Sequence, residues 1–274
     1  MKAPGRGVSP PFPFFSRAPP QAVWKGQLNS SKPEASECAN GWRNIEFNQL
    51  QSGDFARCIM DAGVKFGDLL YRLLYPVAWI VTHLVCRYRV SGREHVPRTG
   101  PLLVVANHLS WFDPILFYLI IPRRLWFFTK KEVFDWPVAG WICSMTGQIP
   151  VHRGEGDRVA IEKALAYLKE GRALVIFPEG TVERQERVIA AHTGAAMLAL
   201  RSGATILPLA HTGTRRVFRL RGGFLPHVNV KIGEPYAPIL TEGVTRKAGL
   251  QAITREVMLR IAEMLPPEQR GVYK

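Results

Sequence analysis

The stretch that decides the fold is Leu102-Leu103-Val104-Val105-Ala106-Asn107-His108-Leu109-Ser110-Trp111-Phe112-Asp113-Pro114. It opens with a short apolar run that contains β-branched valines, which is typical of a buried strand. The run stops at Asn107 and His108, so polar side chains stand directly where the strand ends. We therefore predict a buried strand that leads into a functional turn.

His108 and Asp113 are the side chains of this stretch that could carry chemistry. If a helix begins near Ser110, the imidazole and the carboxylate converge at its N-terminal end. A carboxylate can hold one imidazole nitrogen and leave the other as a base, which can take a proton from a hydroxyl near neutral pH. The alternative is a helix cap beside a histidine whose hydrogen bonds are structural.

Three further blocks contain short apolar runs, and two of them end in charged residues. They are Gly147-Gln148-Ile149-Pro150-Val151-His152-Arg153, Leu174-Val175-Ile176-Phe177-Pro178-Glu179-Gly180-Thr181 and Ala204-Thr205-Ile206-Leu207-Pro208-Leu209-Ala210. With the first stretch, and in this order, they resemble the glycerolipid acyltransferases. The nearest type is the 1-acylglycerol-3-phosphate (lysophosphatidic acid) acyltransferase, and the resemblance covers residues 90–235.

The resemblance implies transfer of a fatty acyl group from a thioester to the free hydroxyl of 1-acylglycerol-3-phosphate, which gives phosphatidic acid. His108 would deprotonate that hydroxyl, and Asp113 would orient and support the imidazole. The acceptor oxygen attacks directly, so no serine or cysteine nucleophile is needed, and the chain contains no Gly-x-Ser-x-Gly elbow. The donor would be acyl-CoA or acyl carrier protein as a co-substrate, and no cofactor is expected.

The same resemblance assigns substrate-binding roles to Arg153, Glu179, Gly180, Thr181 and Arg184. A guanidinium at Arg153 can clamp phosphate oxygens in a bidentate fork, and Gly180 allows close backbone approach. Glu179 would bond the glycerol hydroxyl or position a basic residue. A structural ion pair is the alternative for Arg153 and Glu179.

Two departures from the family pattern concern the acceptor. Many members continue the Phe-Pro-Glu-Gly-Thr block with Arg-Ser-Arg, whereas this chain has Val182-Glu183-Arg184. The next block often presents Lys before its Thr-Gly pair, whereas this chain has His192. Other acceptors therefore stay open, such as glycerol-3-phosphate or another lysophospholipid, and so does a non-catalytic lipid-surface binding protein.

Composition and charge narrow the class of partner. The chain has 274 residues, of which 47% are hydrophobic, so it can form one substantial domain. Its net charge is +14, and residues 1–55 hold six Lys/Arg and four Asp/Glu, so the remainder accounts for +12. Nucleic acid, an anionic membrane surface or a phosphorylated substrate would suit this excess. We expect no nucleic acid, because no RNA- or DNA-binding module accompanies the charge.

The N-terminal part divides into a tail and an apolar segment. Residues 1–58 are rich in Pro and Ser and are predicted to be a disordered tail, or to precede a native start at Met60. Residues 59–87 are predicted to be an apolar interfacial helix, with a core helix and a spanning helix as alternatives. The uncharged stretch 73–86 has 14 residues, fewer than the roughly 20 that span a bilayer. We therefore expect association with the cytoplasmic face of the cell membrane.

Residues 88–274 are predicted to be the acyltransferase domain. Candidate strands are 88–90, 102–106, 125–128, 149–151, 173–177, 205–210 and 228–232; candidate helices are 114–120, 136–145, 157–169, 193–202 and 245–264. This alternation predicts an α/β fold with a mostly parallel central sheet flanked by helices. Sites in such sheets form at the carboxyl ends of the strands, so His108 and Glu179 are expected at one edge.

Cysteines and aromatic residues add two further expectations. The four cysteines have no metal-ligand spacing and are read as reduced thiols, so neither a disulfide framework nor a metal site is expected. The aromatic-rich middle is interpreted as an acyl-chain groove with a basic rim, or as ordinary core; its members are Phe117, Trp126, Phe127, Phe128, Phe134, Trp136 and Trp141.

The assignment of Arg153 to the acceptor phosphate can be tested by steady-state kinetics. We expect Arg153→Ala to raise the KM for the lysolipid acceptor more than the KM for the acyl thioester, because the lost fork contacts phosphate. The reverse pattern would move Arg153 to the thioester site. Arg158→Ala, in the same part of the sequence, is the control.

Overall fold

The computed structural model describes residues 52–152, 157–182, 186–218, 225–241 and 243–274, and of residues 52–66 it describes the backbone. Within these residues, the centre of the fold is a seven-stranded sheet in the order β1-β7-β6-β2-β5-β3-β4. The strands are β1 (Arg87–Ser91), β2 (Leu102–Ala106), β3 (Leu125–Lys130), β4 (Ile149–Val151), β5 (Ala173–Ile176), β6 (Thr205–Thr212) and β7 (His227–Ile232). All neighbouring pairs are parallel except β6 and β7. The predicted α/β fold with a mostly parallel sheet is confirmed.

Helices cover both faces of the sheet. They are α1 (Ser52–Val85), α2 (Asp113–Ile120), α3 (Pro137–Met145), α4 (Arg158–Lys169), α5 (Gly194–Ser202) and α6 (Arg246–Met264). On β2, Leu103 and Val105 face a core that also contains apolar side chains of α4, α5 and α6. The alternate residues Leu102 and Val104 face a second core with α2. Because both faces are covered, β2 is apolar at every position, as its sequence predicts.

The apolar N-terminal segment forms helix α1, which contacts α2 and α3. It begins at Ser52, inside the segment predicted to be disordered, because residues 52–59 contain no proline to stop it. Asp68 forms an ion pair with Arg124, and the Tyr118 hydroxyl donates to the Tyr71 carbonyl. Within the described residues, no helix combines the length and apolar character needed to cross a bilayer.

The order of the strands determines where the functional residues meet. Strand β2 lies between β5 and β6 and is parallel to both, with Val105 opposite Ile176 and Ala106 opposite Leu209. The carboxyl ends of these three strands therefore lie side by side at one edge of the sheet. His108 follows β2 and Glu179 follows β5, so the expectation that both lie at one edge is confirmed.

Candidate active site

The His108–Asp113 pair is formed as the spacing predicts. His108 Nδ1 lies 2.9 Å from Asp113 Oδ2. Helix α2 begins at Asp113 rather than near Ser110, because the Asp113 N–H first closes a turn on the Ser110 carbonyl at 3.1 Å. That turn brings the carboxylate back beneath the loop that carries His108.

Asp113 is buried and held as an anion by several donors. Its Oδ2 accepts the main-chain N–H of Leu109 at 2.8 Å and that of Ser110 at 2.9 Å, in addition to His108. Burial acts to raise the pKa of Asp113, but the neighbouring His211 and His108 imidazoles outweigh it and hold that pKa below its ordinary value. Since an ionised carboxylate only accepts, the His108 Nδ1 carries the hydrogen, and Nε2 is the nitrogen that can accept a proton.

Phe177 fixes the plane of the His108 ring. The two rings stack with centroids 4.0 Å apart and planes 16° apart. Phe177 directly follows β5, and Phe117 of α2 packs behind it at 5.9 Å. The imidazole is therefore held at one edge by Asp113 and on one face by Phe177, while 16% of its side chain stays accessible.

The Phe-Pro-Glu-Gly-Thr block forms a tight turn beside His108. The Gly180 N–H donates to the Phe177 carbonyl at 3.0 Å, and Gly180 has a φ of 67°, which favours glycine. A Cβ at this position would lie 3.3 Å from the His192 ring. Glu179 is buried, with 3% of its surface exposed, whereas Thr181 is exposed. The turn places Thr181 toward solvent, but the substrate roles of Glu179, Gly180 and Thr181 stay predictions.

Two predicted site residues, Arg153 and Arg184, lie outside the described residues. Strand β4 is parallel to β3 and so ends at the same edge of the sheet as β2 and β5. The phosphate-binding roles of both arginines stay predictions.

His211 and Asn107 belong to this site, although the sequence pattern assigned a role to neither. The Asn107 side chain donates to the His211 carbonyl and accepts the His211 N–H, both at 3.0 Å. His211 Nε2 lies 2.8 Å from the Asn107 carbonyl oxygen and 3.4 Å from Asp113 Oδ2. The available signal was a histidine that directly follows the apolar run 204–210, where a charged or polar side chain is unusual unless it has partners.

Of the aromatic side chains between Phe117 and Trp141, some lie in the core and others on the surface. Phe117, Trp126 and Phe127 are buried, as the core interpretation predicts. Trp136 and Trp141 are exposed, and Trp136 stacks on Trp111 with ring centroids 5.6 Å apart. Trp111 lies between His108 and Asp113 in the sequence, so an exposed aromatic surface adjoins the candidate base.

A family model matches the segment that contains this site. The Acyltransferase family model matches residues 87–212, from the start of β1 to the end of β6. This segment contains His108, Asp113, Glu179 and His211. It is less than half of the chain, and over this segment the chain is similar to acyltransferases.

Two curated relatives each match about half of the chain. The lyso-ornithine lipid O-acyltransferase of Pseudomonas aeruginosa is 42% identical over 123 residues, which are 44% of this chain and 46% of that protein. The chloroplastic 1-acyl-sn-glycerol-3-phosphate acyltransferase LPAT1 of Arabidopsis thaliana is 29% identical over 150 residues, 53% of this chain and 42% of that protein. The matched segments thus span less than half of either relative.

A solved structure supports the fold. The crystal structure of the 1-acyl-sn-glycerophosphate acyltransferase PlsC from Thermotoga maritima matches with a TM-score of 0.53 and 24% identity. The match covers 79% of this chain and 84% of that chain. At this identity the likeness concerns the architecture of sheet and helices.

The burial of Asp113 predicts a defined loss of stability. We expect Asp113→Ala to lower the free energy of unfolding by about 1–3 kcal/mol for each of the two main-chain N–H groups left without an acceptor. Urea unfolding of this variant and of Asp135→Ala, an exposed aspartate, measures the difference. Equal loss in both variants would contradict the role of Asp113 as a buried acceptor.

The direction of the Asp113 pKa shift predicts a pH dependence. Because the folded pKa is below the ordinary value of about 3.9, the charge contributes stability above that value and loses it as pH falls through the folded pKa. Asp113→Asn should therefore lose stability less steeply than wild type below about pH 4. Parallel curves from urea titrations between neutral and acidic pH would argue against this.

Proposed function

We propose that the protein transfers a fatty acyl group from a thioester to the free hydroxyl of 1-acylglycerol-3-phosphate, giving phosphatidic acid. The observation that carries the proposal is the His108 ring, whose Nδ1–H is fixed on buried Asp113 while Nε2 can accept a proton. The names of several relatives, among them the Arabidopsis protein, support this acceptor. Acyl-CoA or acyl carrier protein is the proposed donor, with no further cofactor.

The reaction needs one proton acceptor and no covalent enzyme intermediate. His108 Nε2 takes the proton of the acceptor hydroxyl as its oxygen forms a bond to the thioester carbonyl carbon. Asp113 stabilises the imidazolium that results, because its ionised Oδ2 accepts the Nδ1–H at 2.9 Å. When the tetrahedral intermediate collapses, the carbon–sulfur bond breaks and His108 returns the proton to the leaving thiolate.

A lyso-ornithine lipid is the second candidate acceptor. The Pseudomonas relative with that name is 42% identical, and a second one, from Rhodobacter capsulatus, is 37% identical over 108 residues. The chain also departs from the family pattern where phosphate would bind, at Glu183 and His192. The base and the thioester chemistry would be the same for both acceptors, because each offers a free hydroxyl.

The proposed base is tested by comparing two histidine variants. His108→Ala should lose about 10²–10⁴-fold in turnover, which is typical when a general base is removed, while it folds as the wild type does. His227→Ala changes an exposed histidine at the start of β7 and should keep wild-type turnover. Mass spectrometry of the products formed from acyl-CoA and each lysolipid measures the turnover and identifies the lysolipid that is acylated.

Each result of this assay decides one point. Wild-type turnover by His108→Ala would exclude it as the base. Product from lyso-ornithine lipid alone would replace the proposed acceptor and keep the chemistry. No transfer to either acceptor, from acyl-CoA or acyl carrier protein, would exclude both proposed acceptors and leave glycerol-3-phosphate, another lysophospholipid or a lipid-surface binding role.

We further propose that exposed apolar side chains of α1, α2 and α3, and of the residues that lead into α2 and α3, contact an anionic membrane surface at the cytoplasmic face. These side chains include Leu69, Leu73, Val77, Ile80, Leu84, Trp111, Ile115, Trp136, Val138 and Trp141. Clustered apolar side chains with tryptophan suit the interface of a bilayer. The excess of basic residues would add attraction to anionic lipids, at about 1 kcal/mol for each charge near the surface.

Vesicle sedimentation tests the membrane surface. The double variant Trp111→Ala/Trp136→Ala should bind phosphatidylglycerol vesicles at least about tenfold more weakly for each tryptophan removed. The control Ile239→Ala/Val244→Ala removes exposed apolar side chains that follow β7, whose antiparallel course ends at the opposite edge of the sheet. Equal binding by the two double variants would place the membrane contact elsewhere.

A further inference from the structure

His211 is a fully buried histidine that touches both the loop carrying the base and its carboxylate. We propose that it is a positioning residue for the His108–Asp113 pair: as a neutral ring, it fixes the loop through Asn107 and directs its N–H toward Asp113. This inference rests on the proposed function, since it assigns His211 a part in setting the basicity and position of His108.

The hydrogen bonds of His211 place a hydrogen on Nε2. Nε2 lies 2.8 Å from the Asn107 carbonyl oxygen, which can only accept, so Nε2 carries the hydrogen. Nδ1 lies 3.3 Å from the hydroxyl of buried Thr214, which also bonds Asp113. Burial lowers the pKa of His211, although the charge of Asp113 acts in the opposite direction. The ring is therefore neutral at physiological pH.

When His211 is neutral, it does not compete as a cation with His108 for the Asp113 carboxylate. The titratable groups that face it among the described residues are Asp113 of α2 and His108 of the loop after β2, and Phe117 packs edge-on at 5.3 Å. If His211 were protonated, a second cation would compete for the same carboxylate oxygen and oppose protonation of His108. A neutral N–H dipole at 3.4 Å partly compensates the anion without that competition.

The clamp between Asn107 and His211 continues the sheet beyond its last strand pair. The β2–β6 pairing ends at Ala106 opposite Leu209. From there the Asn107 side chain pairs with both the N–H and the carbonyl of His211, which determines the direction in which the chain leaves β2. His108 is the next residue, so any change in the pairing of Asn107 with His211 displaces the base. A displacement of about 1 Å can reduce turnover about 10²-fold.

The experiment compares His211→Leu with His211→Gln across pH. His211→Leu removes the N–H, so the Asp113 charge is less compensated and stabilises the His108 imidazolium more. We expect turnover to fall at least about tenfold and the acceptor KM to stay unchanged. In the plot of kcat/KM against pH, the acidic limb, where activity is lost as pH falls, should move to higher pH. A glutamine amide can place a donor where Nε2 stands, so His211→Gln should restore the wild-type limb and most of the turnover.

His95 offers a matched control for loss of a histidine hydrogen bond. Its Nδ1 lies 2.9 Å from the Ile232 carbonyl oxygen, at the end of β7 and away from Asp113. His95→Leu should lower stability and leave the acidic limb where it is in wild type. If His211→Leu does not fold, His211→Met removes the same N–H with an unbranched apolar side chain and should move the limb in the same direction.

The outcomes separate this inference from the proposed function. An unshifted acidic limb in His211→Leu, or in His211→Met where His211→Leu does not fold, would overturn the positioning role and leave His211 structural, whatever the turnover. Absence of acyl transfer by wild type would remove the proposed function instead. In that case NMR still tests the inference without turnover, because the main-chain N–H signals of Leu109 and Ser110, which bond Asp113, should shift in His211→Leu and stay in place in His95→Leu.

Discussion

Asp113 carries its charge in a fully buried position, where an ionised group costs several kcal/mol unless strong hydrogen bonds replace water. Its Oδ2 meets donors from His108, Leu109 and Ser110, with His211 close by. These donors converge only when the turn before α2 and the ends of β2 and β6 keep their positions. The anion therefore holds the site together, and the site in turn keeps Asp113 ionised.

The parallel sheet supplies this convergence. Because β2 lies between β5 and β6 and runs parallel to both, three loops leave the sheet at one edge. One loop brings His108, the second brings the Phe177 ring that stacks on it, and β6 brings His211. The alternate burial of β2 side chains in two cores keeps this strand in register, so the positions of the polar residues depend on apolar packing.

The sequence predicted the local features well and the distant contacts poorly. Strands β2, β5 and β6 were predicted because a strand buried on both faces is a nearly continuous apolar run, and His108 and Asp113 are close enough in the chain for their contact to be inferred. Asn107 and His211 are 104 residues apart, so their pairing depends on the order of the strands, which no local pattern encodes. Likewise, composition alone could not separate buried Trp126 from exposed Trp136, because both are apolar rings in similar surroundings.

The short segment from His108 to Asp113 faces two environments at once. Asp113 is turned inward and fully buried, whereas Trp111, between the two, is 57% exposed. In the proposed reaction this is the required arrangement, because the hydroxyl of a lysolipid lies between its polar headgroup and its acyl chain. A base on the border of an apolar surface and a polar sheet edge can reach that hydroxyl while the chain stays in the bilayer. The turn that buries the Asp113 carboxylate thus also exposes the Trp111 side chain. A change in the backbone of this turn would therefore move both side chains.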